Sequence, residues 1–186
     1  MYKHKVLIIV DAQNDFIDGT LANKEAQIAV PKIVDLIEEN TWDMIVATQD
    51  THYVNYLHTK EGEKLPISHC INNTKGHEIN QQIMFALNEA KEDGILVHYI
   101  NKNTFGSKVL PNFISANIDF QLTDVIEITL CGFCTDICVV SNALNLKMEY
   151  ANIADIYVKA DCCAGVTPES HEAALTVMKN CQINIV

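Results

Sequence analysis

The sequence predicts an α/β protein with a six-stranded, mostly parallel sheet between helices on both faces, a three-layer α/β/α arrangement. Short apolar runs alternate with stretches of helical periodicity along the chain. Several of these runs are apolar at every position, which is typical of strands buried on both faces. The six runs are Val6–Val10, Met44–Ala47, Ile95–Ile100, Val125–Leu130, Ile153–Val158 and Ile183–Val186.

Four stretches between these runs carry apolar residues at helical spacing. They are marked by Ile28, Ile33, Leu36 and Ile37; by Ile79, Ile83 and Leu87; by Val139, Ala143 and Leu146; and by Ala173, Leu175 and Met178. Pro168 suits the first turn of the last helix. No repeat or linker interrupts the alternation, so we expect one domain over residues 1–186. Only Gln49–Lys75 is long, polar and without a period, and such loops are usually functional or disordered.

Composition limits the classes of partner. The chain has 186 residues, 48% of them hydrophobic, which is enough for a continuous core. Its net charge of −11 gives no sign of the basic face with which nucleic-acid binders neutralise phosphates. No run approaches the roughly 20 apolar residues of a membrane helix, and the run before Asp11 is too short for a signal peptide. We expect a cytoplasmic protein with neither a nucleic-acid nor a membrane partner.

The chain has seven cysteines and shows no export signal, so reduced thiols are expected rather than a disulfide framework. The pair Cys131-x-x-Cys134 has the spacing of a redox site or of half a zinc site. No second pair follows at the spacing of a zinc ribbon. A metal or redox role for these cysteines is therefore the minor alternative.

Chemically useful side chains follow four of the predicted strands. Asp11 comes directly after the first, Asp50 after the second, Lys102 after the third and Cys138 just after the fourth. In open parallel sheets, ligands bind beyond the carboxyl ends of the strands. We therefore expect these four residues to share one edge of the sheet.

Cys138 is the predicted nucleophile. It stands where a helix should begin, and both the helix dipole and a neighbouring ammonium such as Lys102 favour a thiolate. Asp11 can take the thiol proton and return it to a leaving amine. The backbone N–H groups of the turn Gly132–Cys138 can form an oxyanion hole.

A second group of residues has the chemistry of a metal site. Asp50 and His52 lie on the same side of an extended segment, and the loop that follows can bring in His58 and His69. One carboxylate and three imidazoles suit Zn²⁺, Fe²⁺ or Mn²⁺. Spacing alone leaves open that these are surface histidines of a polar loop.

These motifs together resemble the nicotinamidase branch of the isochorismatase-like cysteine hydrolases, over nearly the whole chain. The segments that carry the resemblance are Asp11–Phe16 with Gly19–Ala22; Thr48–His52 with His58, His69, Cys70, Thr74 and Gly76; Lys102 with Phe105; Gly132–Val139; and Asp161–Ala164 with Glu169 and His171.

The resemblance implies a set of roles and a reaction. It implies a triad of Asp11, Lys102 and Cys138, an oxyanion hole from the N–H groups of Cys134 and Cys138, and a cis peptide between Phe133 and Cys134. It also implies one divalent transition metal (Zn, Fe or Mn) on Asp50, His52, His58 and His69, and a substrate ring enclosed by Phe16, Leu21 and Phe133. The implied reaction is deamidation of nicotinamide to nicotinate and ammonia through a Cys138 thioester. Family members are often dimers or tetramers, so a homo-oligomer is expected.

One position departs from the pattern of nicotinamidases. They commonly carry a tryptophan three residues before the last metal histidine, where this chain has Pro66. Its one tryptophan, Trp42, precedes the second strand and should lie far from the site. Two alternatives therefore stay open. One is hydrolysis of another small amide or carbamoyl compound. The other is a non-catalytic metal- or redox-binding protein that uses the loop histidines with Cys131, Cys134 and Cys138.

Overall fold

Six parallel strands form the centre of the protein. The computed structural model describes residues 3–39, 41–118 and 125–186. The strands are β1 (Lys3–Val10), β2 (Met44–Asp50), β3 (Leu96–Lys102), β4 (Val125–Phe133), β5 (Ala154–Ala164) and β6 (Asn184–Ile185). They lie in the order β3-β2-β1-β4-β5-β6, and every pairing is parallel. The predicted sheet is confirmed, and it is wholly parallel.

Helices cover both faces of this sheet. The described residues form α1 (Asn14–Ile17), α2 (Lys24–Glu38), α3 (Gln81–Glu92), α4 (Leu110–Asn117), α5 (Val140–Tyr150) and α6 (Pro168–Asn180). Right-handed crossovers place α2 and α3 on one face and α4, α5 and α6 on the other. In agreement, α2 packs against α3, while α5 packs against both α4 and α6. Within the described ranges, no helix has the length and apolar character needed to cross a membrane.

The helix α4 was not predicted, and several strands extend further than predicted. Only a short run of α4 is apolar, with Leu110, Pro111 and Ile114 buried. The strand β2 continues to Asp50 and β3 to Lys102, where these two residues are direct partners in the parallel register. Both functional candidates are therefore held by the sheet rather than by loops. The single-domain organisation and the cytoplasmic location stay predictions.

The direction of the strand order reverses between β1 and β4. From β1 the chain winds outward to β2 and β3, and from β4 it winds the other way to β5 and β6. Asp11 follows β1, and Cys138 lies in a π-helical turn (Thr135–Val139) between β4 and α5. Open α/β sheets bind their ligands at this kind of reversal, outside the carboxyl ends of the strands.

The close approach of β1 and β4 at this edge depends on Gly132. Its φ is 116°, and a Cβ there would lie 2.1 Å from the carbonyl oxygen of Val10. Gly94 has a similar φ of 93° but no heavy atom within 4 Å of the same position. Substitutions at the two positions therefore share the cost of a left-handed backbone, and only the substitution at Gly132 adds a steric clash.

We expect Gly132→Ala to destabilise the protein far more than Gly94→Ala. The left-handed conformation costs a non-glycine residue on the order of 1–2 kcal/mol, and both substitutions carry this cost. Only Gly132→Ala also forces β1 and β4 apart. Urea unfolding of the two variants gives their free energies of unfolding, and equal values would contradict the close packing of Gly132 against Val10.

Candidate active site

The structure brings Asp11, Lys102 and Cys138 together at the carboxyl edge of the sheet. The Lys102 ammonium lies 2.5 Å from Asp11 Oδ2 and donates to Cys138 Sγ at 3.6 Å. All three side chains are buried. A base, a cation and a thiol in mutual contact are the components of nucleophilic catalysis by cysteine.

Asp11 is held in place by Thr48 of β2. The backbone of Asp11 has a φ of 49°, and the Asp11 N–H donates to the carbonyl of Thr48 at 3.1 Å. The Thr48 hydroxyl donates to Asp11 Oδ1 at 2.7 Å. One carboxylate oxygen is therefore fixed by Thr48, and the other faces Lys102.

The electrostatics of the triad differ from the expectation of a resting thiolate. Burial raises the pKa of the Cys138 thiol well above its usual value, and the charge of Asp11 raises it further. Lys102 lowers the thiol pKa, as expected, but does not outweigh burial. Burial also raises the pKa of Asp11, despite the opposing charge of Lys102. The resting cysteine is therefore a thiol beside a carboxylate with increased basicity.

A second cluster lies beside the triad and consists of Asp50, His52, Glu61 and His69, whose candidate ligand atoms all lie within 4.8 Å of one another. His52 Nε2 is 2.8 Å from Asp50 Oδ2 and 3.6 Å from Glu61 Oε1. His69 Nε2 is 3.5 Å from the same Asp50 oxygen and 3.9 Å from the same Glu61 oxygen. The four side chains thus converge on one point.

This donor set fits a divalent transition metal. Ligand atoms of a tetrahedral zinc site with bonds of about 2.0–2.1 Å lie about 3.3 Å apart, close to the separations in the cluster. The Nε2 atom of His52 is buried without a hydrogen-bond partner in the described structure, although it faces two carboxylates. A cation between these groups would satisfy it. Two imidazoles and two carboxylates suit Zn²⁺, Fe²⁺ or Mn²⁺.

The structure brings Glu61, and not the predicted His58, into the cluster with the other three predicted ligands. His58 is exposed at the end of a short 3₁₀ helix, Tyr56–His58. That helix directs the chain so that Glu61 turns back toward His52. The loop has no periodic pattern, so nothing in the sequence distinguishes Glu61 from the other acidic residues nearby.

The pKa values within the cluster follow from its charges. Burial opposes ionisation of Asp50, but the neighbouring imidazoles of His52 and His69 hold the pKa of Asp50 below its usual range. Burial acts to lower the pKa of His69, but the hydrogen bond to Asp50 raises it overall. Burial raises the pKa of Glu61. Asp50 is thus the permanent anion of the cluster.

A cavity of about 990 Å³ opens above both groups of residues and includes Cys138 and Asp50 in its lining. Of the predicted ring contacts, Phe16 and Leu21 line this cavity, and the Phe16 ring packs edge-on against His69 at 5.7 Å between ring centroids. Phe133 does not line it. Further apolar wall residues are Leu65, Phe105, Ile137 and Val166.

The interpretation of Phe133 as a ring contact is thus corrected. Phe133 ends the buried strand β4, pairs with Ala164 of β5 and is 1% exposed, so its side chain belongs to the core. The peptide between Phe133 and Cys134 is cis, as the resemblance implies. Trp42 is buried at the amino end of β2, where its indole donates to the Leu36 carbonyl, and it does not line the cavity.

Two buried residues that the sequence analysis did not single out support the cluster. Gln13 accepts the Asp50 N–H at 2.7 Å and donates to the carbonyls of Asp50 at 2.9 Å and His77 at 2.8 Å. The His77 ring contacts the Thr51 hydroxyl at 2.9 Å. Gln13 lies within the segment Asp11–Phe16, and His77 directly follows Gly76. Gln13 holds main-chain groups and His77 a side-chain hydroxyl, and sequence patterns do not show such contacts.

The parallel sheet brings a thiol, a carboxylate and an ammonium together at its reversal point, where open α/β sheets bind their ligands. The chain belongs to the isochorismatase family, because the Isochorismatase domain model matches residues 5–186. It is an isochorismatase-family hydrolase, and its relatives include nicotinamidases.

Three relatives illustrate this relationship. The nicotinamidase of Schizosaccharomyces pombe is 27% identical over 98% of this chain and 93% of its own length. The structure of a nicotinamidase/pyrazinamidase from Bacillus subtilis is 27% identical, with a TM-score of 0.79 over 98% of this chain and 99% of that one. The structure of the Pyrococcus horikoshii pyrazinamidase in complex with zinc is 26% identical, with a TM-score of 0.73 over 98% of both chains.

We expect Glu61→Gln and His52→Ala to lose metal affinity, while His58→Ala keeps that of the wild type. The first two remove a group of the cluster, whereas His58 is an exposed histidine of the same loop. Even loss of an outer-shell partner weakens metal binding by roughly 10–100-fold, so the loss should reach at least that size. Competition between each variant and a chromophoric zinc chelator measures it. Loss of zinc in His58→Ala and retention in Glu61→Gln would reverse the assignment.

The charges around Cys138 predict opposite effects of two substitutions on thiol reactivity. Lys102→Met removes the charge that lowers the thiol pKa, so iodoacetamide should label Cys138 more slowly at a given alkaline pH. Asp11→Asn removes a charge that raises this pKa, so labelling should become faster. Mass spectrometry of the Cys138 peptide separates this signal from the exposed Cys181. Lys91→Met, at an exposed lysine of α3, is the control, and shifts of the same sign in both variants would contradict this electrostatic account.

Proposed function

We propose that the protein is a cysteine amidohydrolase that deamidates nicotinamide to nicotinate and ammonia. The observation that carries the proposal is that one buried ammonium, that of Lys102, contacts Asp11, Cys138 and Asp50, and that the last two of these line the cavity. Asp50 belongs to the four-residue cluster, so the reactive thiol and the metal site share one cavity. The relationship to nicotinamidases supports this choice of substrate.

The proposed chemistry begins with proton transfer from Cys138 to Asp11. The sulfur attacks the amide carbon, and the oxyanion formed accepts hydrogen bonds from the N–H groups of Cys134 and Cys138. Asp11 returns the proton to the amide nitrogen, the C–N bond breaks, and ammonia leaves a thioester on Cys138. Asp11 then deprotonates a water molecule that attacks the thioester, which releases the carboxylate product and restores the thiol.

Asp50, His52, Glu61 and His69 are the proposed metal ligands. A divalent ion held by these residues would supply a Lewis acid for the pyridine nitrogen of the substrate. Phe16 and Leu21 then contact the ring from the cavity wall and orient its carboxamide toward Cys138. In this division of labour, the cluster determines substrate affinity and the triad breaks the bond.

A second candidate is hydrolysis of another small amide or carbamoyl compound by the same triad. The size of the cavity supports this second candidate. Its volume of about 990 Å³ lies at the upper end of the range for sites that bind drug-sized ligands. Pro66, in place of the tryptophan common in nicotinamidases, is exposed and leaves the ring without that stacking partner. An aliphatic or bulkier acyl group therefore has room in the site.

Ammonia release from a panel of amides tests the proposal, with nicotinamide, pyrazinamide, benzamide and carbamoyl compounds as substrates of zinc-loaded protein. We expect nicotinamide and pyrazinamide to be the best substrates, because both carry a ring nitrogen for the metal. Benzamide lacks this nitrogen and should have a much higher KM. Preference for a carbamoyl compound would select the second candidate.

Variants of the same protein identify the nucleophile. Cys138→Ala should abolish turnover, and Asp11→Asn should lower kcat on the order of 10²–10⁴-fold, the contribution of a positioned base. Cys134→Ala is the matched control, since only its backbone N–H is proposed to act. An active Cys138→Ala beside an inactive Cys134→Ala would exclude Cys138 as the nucleophile.

A further inference from the structure

Asp15 is a buried carboxylate that belongs neither to the triad nor to the metal cluster. Its Oδ2 accepts the Cys70 N–H at 2.7 Å, and its Oδ1 accepts the Thr20 N–H at 3.1 Å. Cys70 directly follows the cluster residue His69, and Thr20 directly precedes the cavity residue Leu21. The two oxygens of one side chain thus hold two different walls of the site.

Glycines allow both walls to approach this carboxylate. A Cβ on Gly76 would lie 2.1 Å from Asp15 Oδ2, and one on Gly19 would lie 2.4 Å from Oδ1. The Asp15 N–H also donates to the Gly76 carbonyl at 3.0 Å. No larger residue fits at either position without displacing the carboxylate.

The backbone that Asp15 holds on the metal side is strained. Cys70 has a φ of 45°, a left-handed conformation that costs a residue with a Cβ on the order of 1–2 kcal/mol. Its N–H is bound by Asp15, and its carbonyl accepts the His52 N–H at 3.0 Å. The first bond fixes the peptide that links His69 to Cys70, and the second fixes the next peptide, between Cys70 and Ile71. Asp15 therefore acts on the position from which the His69 ring reaches Asp50.

The same residue fixes the opposite wall. Besides the Thr20 N–H at its side chain, its main-chain carbonyl accepts the Leu21 N–H at 2.9 Å. Leu21 and the neighbouring Phe16 both line the cavity. The distance between the His69 side and the Leu21 side of the cavity is thus set through Asp15.

We infer that Asp15 is a positioning residue that holds His69 in its metal-binding arrangement and Leu21 against the substrate cavity. This inference rests on the proposed function, because it assigns a purpose to the same site. Asp15 touches neither metal nor substrate and acts through the Cys70 and Thr20 amides. The carboxylate is required because it accepts two N–H donors at once, whereas an amide side chain accepts one and directs its NH₂ at the other.

Zinc affinity of Asp15→Asn tests the inference, with Asp18→Asn as the matched control. Asp18 is an exposed aspartate of the same segment. We expect Asp15→Asn to bind zinc roughly 10–100-fold more weakly than the wild type, as for other outer-shell partners, and to raise KM more than it lowers kcat. Asp18→Asn should match the wild type in both respects. The rate of Cys138 alkylation in metal-free Asp15→Asn should stay within about twofold of the wild type, because Asp15 contacts no triad residue; a general loss of structure would change this rate as well.

Gly76→Ala provides a second variant that keeps the carboxylate but displaces it. It should also weaken zinc binding while circular dichroism remains native. If Asp15→Asn does not fold, Gly76→Ala decides the question. If neither variant folds, or if either folds and binds zinc as the wild type does, the inference is overturned. Zinc binding is measured without substrate, so it is independent of the amide. A wild-type protein that binds no zinc would instead contradict the proposed function.

Discussion

The site depends on one buried cation. Lys102 lies among Asp11, Asp50 and Cys138, and these contacts raise its own pKa even though burial acts to lower it. Two buried carboxylates this close to a thiol would repel one another without a shared positive charge, since an unpaired buried charge is strongly destabilising. The strand order explains how one residue serves all three. β3 ends beside β2, and β2 beside β1, so a long side chain at the end of β3 reaches across both neighbours.

The segment that follows Asp11 links the two halves of the site. Gln13 binds the main chain of Asp50, Asn14 donates to the Lys75 carbonyl at 2.8 Å, and Asp15 binds the Cys70 N–H. A loop of some 30 residues between β2 and α3 has little regular structure of its own, and ordering it costs conformational entropy. Side chains of the short segment after Asp11 bind main-chain groups of this loop, which regular secondary structure would otherwise pair with one another. The motif around Asp11 is therefore as much a support for the metal loop as a source of the base.

The sequence allowed the sheet and the triad to be predicted because both follow from rules about strands. Apolar runs locate parallel strands, and the carboxyl ends of neighbouring strands share an edge, which places Asp11, Asp50, Lys102 and Cys138 together. The same reasoning failed where no period exists. His58 was predicted as a ligand and Glu61 was not, because the short 3₁₀ helix decides which side chain turns inward. Phe133 was predicted to contact the substrate ring but lies in the core. Whether the last residue of a strand faces the core or the site depends on the neighbouring strand, here β5.

The resting state of Cys138 bears on how the nucleophile is protected. A permanent thiolate is open to alkylation and to stepwise oxidation, but burial and Asp11 keep this sulfur protonated. Burial also raises the pKa of Asp11. The pKa of the base is then closer to that of the thiol, so proton transfer from Cys138 to Asp11 costs less free energy. In the proposed reaction, negative charge then moves from Asp11 through sulfur to the substrate oxygen. Lys102 contacts the first two of these positions, so the cation stays close to the charge as attack begins.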